Sequence, residues 1–409
     1  MAQLAGCYTR SMVARLEAFA LILALGASWA IVAPPNDLPS AEARFQRELD
    51  QLREVYRFPG ATAAFVLPDG HQAGFATGYA DREQSIPMRT DSLQLAGSVG
   101  KTFVSAVVLS LAQDGKLNLD DKVSKWLGRE RWFRRLPNQN YITIRTLLNH
   151  SSGMPDHVRD ERFISTVRRR FRSDPDFHLS PAELVQFVLD KDALSAPGRG
   201  FSYSDTNYIL AGMIIERATG SSYYGELVQR FLTPLGLSLT GPADRRGLPS
   251  LAPGYVAGSN PFGLPRKTVS RGMLVVNPST EWTGGGLVSN PQDLARWAKA
   301  LYEGKALKKP YLDDLIGSVA PSRGGRRYGL GVEIEKSELG PIYGHDGWFP
   351  GYRTRMAYFP DYRIAVAMQI NTDDDVNQRQ CVLALARVLV KQFPNQVRST
   401  SRDSEPRRE

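Results

Sequence analysis

Two cysteines, Cys7 and Cys381, are all that 409 residues contain. A chain cleaved after Ala30 keeps only Cys381, so no internal disulfide can staple it even in an oxidising compartment, and the fold must stand on its apolar core. No unit of about 20 to 50 residues repeats and no heptad run is present, which excludes solenoids, propellers and coiled coils. The histidines include no i, i+4 pair on a helix face with a third carboxylate, so no metal and no other cofactor is expected. The basic cluster Arg168, Arg169, Arg170 and Arg172 lacks the row of stacking aromatics that a single-strand groove requires, so nucleic acid is not an expected partner. It reads as a solvated helix face, with attraction to an anionic envelope polymer or lipid as the alternative.

What is there is a core-forming composition, 42% hydrophobic and 23% charged, with a formal net charge of +9. Arg10 and Arg15 precede the apolar run Ala18 to Ala33, which is followed by Pro34-Pro35. That order is the order of a secretory signal, and Ser28-Trp29-Ala30 offers small residues at a cleavage site. The run is shorter than the roughly 20 apolar residues of a membrane span. Residues 1–33 are therefore expected to be a signal peptide or an uncleaved anchor, placing the body in the periplasm or elsewhere outside the cytoplasm, with membrane association through this segment as one outcome. Leu4-Ala5-Gly6-Cys7 looks like an acylation box but precedes the apolar run instead of following it, and reads as chance.

Helical spacing covers Ala41 to Tyr56; Ala61 to Leu67 and Ala73 to Ala80 read as strands joined through Pro68-Asp69-Gly70. From Ser98 the pattern turns helical, with Phe103, Val107, Val108 and Leu111 on one apolar face. Residues 116–279 read as helices and loops, with an irregular Pro/Gly-rich connection from Gly241 to Pro265. Asn290-Pro291-Gln292-Asp293 opens a helix through Leu301. Strands are then expected at Tyr328 to Glu335, Pro341 to Gly347, Arg353 to Phe359 and Ile364 to Ile370, and a closing helix at Asp375 to Phe393, with Asp373-Asp374-Asp375 at its start. The tail 394–409 is polar and expected to be disordered. The fold class is α+β: an antiparallel sheet flanked by helices and built from N- and C-terminal segments, about 40–115 and 280–393, with an inserted mainly helical lobe at about 116–279. A site is expected between sheet and lobe.

Ser98-Val99-Gly100-Lys101 sets a hydroxyl and an amine three apart on a helix, so the two side chains share a face and can hydrogen-bond. A neutral buried amine is one way to activate a weak serine nucleophile. The pair alone is common by chance. Its context is more specific: Phe201-Ser202-Tyr203-Ser204-Asp205-Thr206-Asn207-Tyr208, with Tyr203 lying 105 residues after the serine, and Gly344-His345-Asp346-Gly347, with His345 a further 142 residues on. Between these lie Leu147-Leu148-Asn149-His150-Ser151-Ser152-Gly153-Met154 and Gly284-Gly285-Gly286-Leu287-Val288-Ser289.

This ordered set resembles the penicillin-recognising serine hydrolases, most closely class C β-lactamases, D-alanyl-D-alanine carboxypeptidases and related esterases, over about residues 40–393. The resemblance implies an acyl-enzyme on Ser98, with Lys101 as its helical partner and Tyr203 as proton relay. It implies a substrate side formed by Asp205, His345 and Gly347, and an oxyanion hole from the backbone N–H groups of Ser98 and Trp348. A helix N-terminus does present free N–H groups to developing negative charge. The implied substrate is a small molecule or a peptidoglycan-derived amide or ester.

Two departures stand out. Asp205 occupies a position usually held by asparagine; near Lys101 it would favour the ammonium and move the general-base role toward a Tyr203 phenolate. Asp346 replaces a common threonine or serine and, if it faces the site, repels a substrate carboxylate, favouring short acyl esters. Trp348-Phe349 would then wall an acyl pocket. His71 and His178 read as exposed, His150 and His157 as making local caps or hydrogen bonds. Two rivals remain: a Ser-His-acid hydrolase built on Ala96-Gly97-Ser98-Val99-Gly100 and His345, and a non-catalytic envelope binding protein of the same fold.

Overall fold

The computed structural model describes residues 40–391, apart from residue 259 and residues 318–326. The segment read as an export signal, the Cys7 box and the tail from residue 394 lie outside the described residues. In chain order the strands are β1 Gly60–Val66, β2 Gln72–Asp81, β3 Ile86–Pro87, β4 Gln94–Leu95, β5 Gly241–Pro242, β6 Val269–Ser270, β7 Met273–Leu274, β8 Leu287–Ser289, β9 Arg327–Tyr328, β10 Glu333–Ser337, β11 Gly340–Phe349, β12 Tyr352–Phe359 and β13 Ile364–Ile370. The helices are α1 Ala41–Tyr56, α2 Gly100–Gln113, α3 Val123–Leu127, α4 Ile144–Leu148, α5 Glu161–Ser173, α6 Pro181–Val185, α7 Asp205–Thr219, α8 Tyr223–Leu227, α9 Pro291–Tyr302, α10 Tyr311–Ile316 and α11 Gln378–Val390.

Eight strands form one antiparallel sheet in the order β3-β2-β1-β13-β12-β11-β10-β9. The N-terminal hairpin joins the C-terminal strands through β1 against β13, with Ala64 opposite Ala367. Side chains alternate faces along a strand, and composition follows the alternation. Ala61, Ala63, Phe65, Val366, Met368 and Ile370 pack with α1 and α11. Ala64, Val66, Ala365 and Ala367 face the other way, into the larger core that holds Phe103 of α2 and Trp297 of α9. The near-continuous apolar strands β1 and β13 are thus buried on both faces.

Local chemistry sets the element ends. Ser40 caps α1 by accepting from Ala43 N–H at 3.1 Å, and Asn290 caps α9 from Asp293 N–H at 3.0 Å, with Pro291 at the first helical position. The aspartate run does not open α11, as the sequence suggested. That helix starts at Gln378 with Asn377 accepting from Gln380 N–H at 3.2 Å, because Asp373 is engaged by Ala257 N–H and Asp374 by the Thr372 hydroxyl. On α5, Phe163 and Val167 are buried while Arg168, Arg169, Arg170 and Arg172 lie exposed.

One contact chain holds α2, and with it the turn before it, against the sheet. The Trp297 ring stacks on Phe103 at 4.1 Å and 9°. Its Nε1 donates to Thr102 Oγ1 at 2.9 Å, and that hydroxyl donates to Val99 O at 2.8 Å. Trp297 is fully buried, so Trp297→Ala combines a large cavity with the loss of the indole hydrogen bond to Thr102 Oγ1, which keeps its bond to Val99 O. We expect a loss of about 3–5 kcal/mol, read as a lowered urea midpoint at unchanged slope.

Candidate active site

Ser98 sits in a 3-10 turn, Gly97–Val99, that runs into α2. The turn is possible only because Gly97 adopts φ +53°, and a Cβ there would meet the N, C and O atoms of Trp348 at 2.6–2.8 Å. From the other side packs Gly285, at φ +156°, where a Cβ would meet Gly97 C at 2.5 Å and Ser98 N at 2.9 Å. The Ser98 turn is therefore clamped, backbone to backbone, between the Gly284-Gly285-Gly286 segment and the end of β11. Alanine at either glycine needs both left-handed backbone and space that does not exist.

Lys101 is fully buried. Its Nζ lies 2.9 Å from Ser98 Oγ, hydrogen-bonds Gly284 O, and lies 2.6 Å from Asp205 Oδ1 at the first turn of α7. It also sits over the rings of Tyr203, at 5.0 Å, and Tyr208, at 5.4 Å. The Tyr203 hydroxyl is buried beside Ser98 and makes no hydrogen bond of normal geometry. Burial, and then the negative charge of Asp205, push this phenol well above its usual range. The phenolate anticipated from Asp205 is thus disfavoured by the same carboxylate that was to promote it.

His345 is brought to the site but is sealed within it. Its Nδ1 lies 2.5 Å from Asp346 O, a group that only accepts, so Nδ1 carries the proton and Nε2 accepts from the Tyr328 hydroxyl at 2.8 Å. Burial, then the charge of Lys101, lowers the ring to about 4. No free base faces Ser98 from this residue, which removes the Ser-His-acid alternative. Asp346 faces away from the site. It pairs across the strand with Arg355, whose buried guanidinium it meets at 2.6 Å and which also binds Glu333 at 3.2 Å and Glu335 at 2.9 Å. The expected repulsion of a substrate carboxylate by Asp346 therefore falls, and the ester preference built on it falls too.

A cavity of about 370 Å³ opens above Ser98. Phe163, Val167, Phe171, Phe262, Leu264 and Val276 make it apolar, with Trp348 and Phe349 at one side as the sequence suggested. Trp348 remains 41% exposed. Three carboxyl groups border it: Asp205, Asp156 and Glu281. Burial, and then the charge of Asp205, raises Asp156 to about 7 and Glu281 to about 8. Sequence reasoning missed both; Asp156 follows Gly153-Met154-Pro155 and Glu281 precedes Gly284 by three, so proximity to the quoted motifs was the only signal. A second cavity of about 540 Å³, bordered by Lys191, Phe201, Tyr328 and Glu333, shares Asp156, Arg159 and Tyr203 with the first. His150 and His157 do not act locally: they bond to residues 49 to 57 positions away, Asn207 and Thr206 among them.

A profile described as Beta-lactamase matches residues 45–389. Penicillin-binding protein 4* of Bacillus subtilis (strain 168) is 30% identical over 322 residues, covering 76% of this chain and 67% of that protein. Of further relatives from Staphylococcus aureus the chain spans 38%. Among solved structures, a D-stereospecific amidohydrolase from Streptomyces sp. superposes with TM-score 0.73 at 28% identity, over 85% of this chain and 98% of that one. The D-amino acid amidase of Ochrobactrum anthropi SV3, complexed with L-phenylalanine amide, gives TM-score 0.72 at 25% identity, over 86% and 99%.

The orientation of Asp346 is directly testable. Asp346→Thr should leave the ratio of turnover on carboxylate-bearing and neutral substrates unchanged within twofold. It should cost about 1–3 kcal/mol of stability through the lost charged hydrogen bond to Arg355. A changed ratio at unchanged stability would put the side chain back in the site.

Proposed function

The chain belongs to the Beta-lactamase family and is a serine hydrolase of the β-lactamase/DD-peptidase type, and we propose that it cleaves amides of amino acids with an apolar side chain and a free amine through an acyl-enzyme on Ser98. The observation that carries the reading is the environment of Lys101. A neutral amine has two N–H groups and one lone pair. Gly284 O only accepts and takes one N–H, the Asp205 carboxylate 2.6 Å away can only attract a second, and the lone pair is left for the Ser98 hydroxyl 2.9 Å away.

In this reading Ser98 Oγ attacks the amide carbon while its proton passes to Lys101 Nζ. Tyr203, held protonated, gives its proton to the leaving nitrogen as the C–N bond breaks, and the Lys101 ammonium restores it. Water then attacks the ester carbon, the C–Oγ bond breaks, and the water proton returns through the same pair to Ser98, leaving a carboxylic acid. The backbone N–H groups of Ser98 and Trp348 would bind the oxyanion, a role supported by the close approach of Gly97 to Trp348. Esters fit the same chemistry. The substrate class is supported by the apolar cavity, by its excess of carboxyl groups, and by amidase relatives of the same fold. The apolar run Ala18 to Ala33 and the penicillin-binding relatives support a site of action outside the cytoplasm.

Labelling with a fluorophosphonate followed by mass spectrometry should place the adduct on Ser98, and Ser98→Ala should lose roughly 10³-fold or more in rate. Lys101→Ala and Tyr203→Phe should each slow acylation by about 10²-fold or more and combine non-additively. An adduct on another serine, or a double-mutant loss equal to the product of the single losses, overturns the assignment.

Asp156 and Glu281 hold protons at pH 6, because their raised pKa values are about 7 and 8. Binding a substrate ammonium favours the ionised carboxylates and expels those protons, so affinity should rise with pH. KM for D-phenylalanine amide is expected to fall about five- to tenfold between pH 6 and 7.5, below the α-amino range of about 7.7–8.0. The N-acetylated amide should show no such fall. A flat KM for the free amine would remove the carboxyl groups from substrate recognition.

A further inference from the structure

Among the buried titratable groups that the mechanism leaves unused, His150 is the one that lies against Tyr203 while bonding the residues on both sides of it. His150 is 0% exposed, follows α4 with φ +58°, and is not among the residues lining either cavity beside Tyr203. Apart from its N–H, which donates to Leu147 O at 3.2 Å, its hydrogen bonds go to the segment that carries Tyr203 and to the helix behind it. The main-chain carbonyl of His150 accepts from Ser202 N–H at 2.9 Å. Its ring Nδ1 lies 3.2 Å from Ser204 N–H and 3.2 Å from Asn207 Nδ2. A backbone N–H only donates, so Nδ1 is the unprotonated nitrogen and the ring is the Nε2–H tautomer. The residues immediately before and after Tyr203 are thus bound by two different atoms of one histidine.

The ring completes the hold. It lies against Tyr203 at 4.2 Å between centroids, tilted by 35°, and is backed by Tyr328 at 4.9 Å and Tyr208 at 5.2 Å. The Tyr203 hydroxyl makes no hydrogen bond of normal geometry, its one polar neighbour being the Ser98 hydroxyl that it must serve. Its aim at Ser98 must come from the backbone on either side and from the stacked rings. Ser204 is fully buried, so without an acceptor at Nδ1 its N–H would lose its only recorded side-chain partner in a place water does not reach.

We propose that His150 is the positioning residue of Tyr203: its carbonyl and Nδ1 clamp Ser202 and Ser204, and its ring sets the plane of the phenol against Ser98. The inference rests on the relay role given to Tyr203 above. His150 acts through Tyr203 and touches no substrate, so its loss should lower the rate of bond breaking and leave binding alone. Asparagine is the conservative replacement, since its Oδ1 can stand for Nδ1 as acceptor and its backbone tolerates the left-handed region. Phenylalanine keeps the ring and removes the acceptor.

The test measures kcat and KM on D-phenylalanine amide, fluorophosphonate labelling rates, and crystal structures of the full chain. His150→Ala is expected to lower kcat by about 10²-fold with KM within twofold, and His150→Asn to recover about tenfold of that loss. His150→Phe, which leaves the Ser204 N–H unpaired, should recover less than His150→Asn. In a Tyr203→Phe background, His150→Ala should add less than about threefold, because its effect passes through a hydroxyl already gone. A multiplicative loss in the double mutant, or a loss carried by KM, overturns the proposal. If Tyr203→Phe alone retains full activity, the relay reading fails. The clamp is then decided by the His150→Asn structure and that of His150→Phe, or of His150→Ala if the former does not fold. A Tyr203 ring unmoved in the variant lacking the acceptor overturns it, and a ring displaced there but native in His150→Asn supports it.

Discussion

An amine with no contact to water is the constraint around which this molecule is assembled. Lys101 is buried on α2, and a buried amine or ammonium is tolerated only when its polar contacts are met. Its partners beyond Ser98 come from remote parts of the chain: Gly284 lies 183 residues further on, and Asp205 opens α7. Bringing them together forces the Gly284-Gly285-Gly286 segment into backbone contact with the Ser98 turn, which side chains at Gly97 and Gly285 would block. Site geometry and fold stability are here the same requirement. The Trp297–Thr102–Val99 chain also reaches this turn, so α9, α2 and the residue after the serine are joined by hydrogen bonds.

Strand alternation decides which parts of the His345 motif can do chemistry. Along β11 His345 turns toward Tyr328 and the site, and Asp346 turns to the face covered by α1 and α11. There it joins the buried guanidinium of Arg355 and its further carboxylates. The histidine's two nitrogens are both committed, one as donor to a carbonyl and one as acceptor from a phenol. The strand that in the resembling hydrolases would present a hydroxyl beside the histidine presents backbone and the Trp348-Phe349 corner instead. In the proposed reading, recognition of charge rests on the loops, where Asp156 and Glu281 stand.

Much of this was legible in the sequence for identifiable reasons. The helix at Ala41–Tyr56 is as its spacing predicts, and Asn290 caps α9 as its side chain and the following proline dictate. The three-residue spacing of Ser98 and Lys101 becomes a 2.9 Å contact, and Asp205 meets Lys101 as the motif positions implied. What the sequence hides is direction and distance. The side on which Asp346 falls depends on pairing with Arg355, a residue with no mark of its own in the linear pattern. His150 bonds across more than fifty positions to Ser204 and Asn207, and short-range reasoning assigns it a local role. Asp373 is drawn to Ala257, a loop contact no periodicity encodes, so α11 begins later than the aspartates suggest.

The charge inventory of the site points to its use. Three carboxyl groups, Asp156, Asp205 and Glu281, face two basic groups, the Lys101 amine and the Arg159 guanidinium 3.6 Å from Asp156, and burial together with the charge of Asp205 raises Asp156 and Glu281 toward their protonated forms. Desolvation removes water as compensation for their charge. The free enzyme meets the shortage with protons. A ligand bringing its own positive charge meets it differently: it displaces those protons and lets the carboxylates ionise while water is excluded. A neutral analogue of the same shape would fill the apolar cavity but leave the protons in place. Discrimination between the two would then appear in binding, because only the cationic ligand replaces the protons that Asp156 and Glu281 carry.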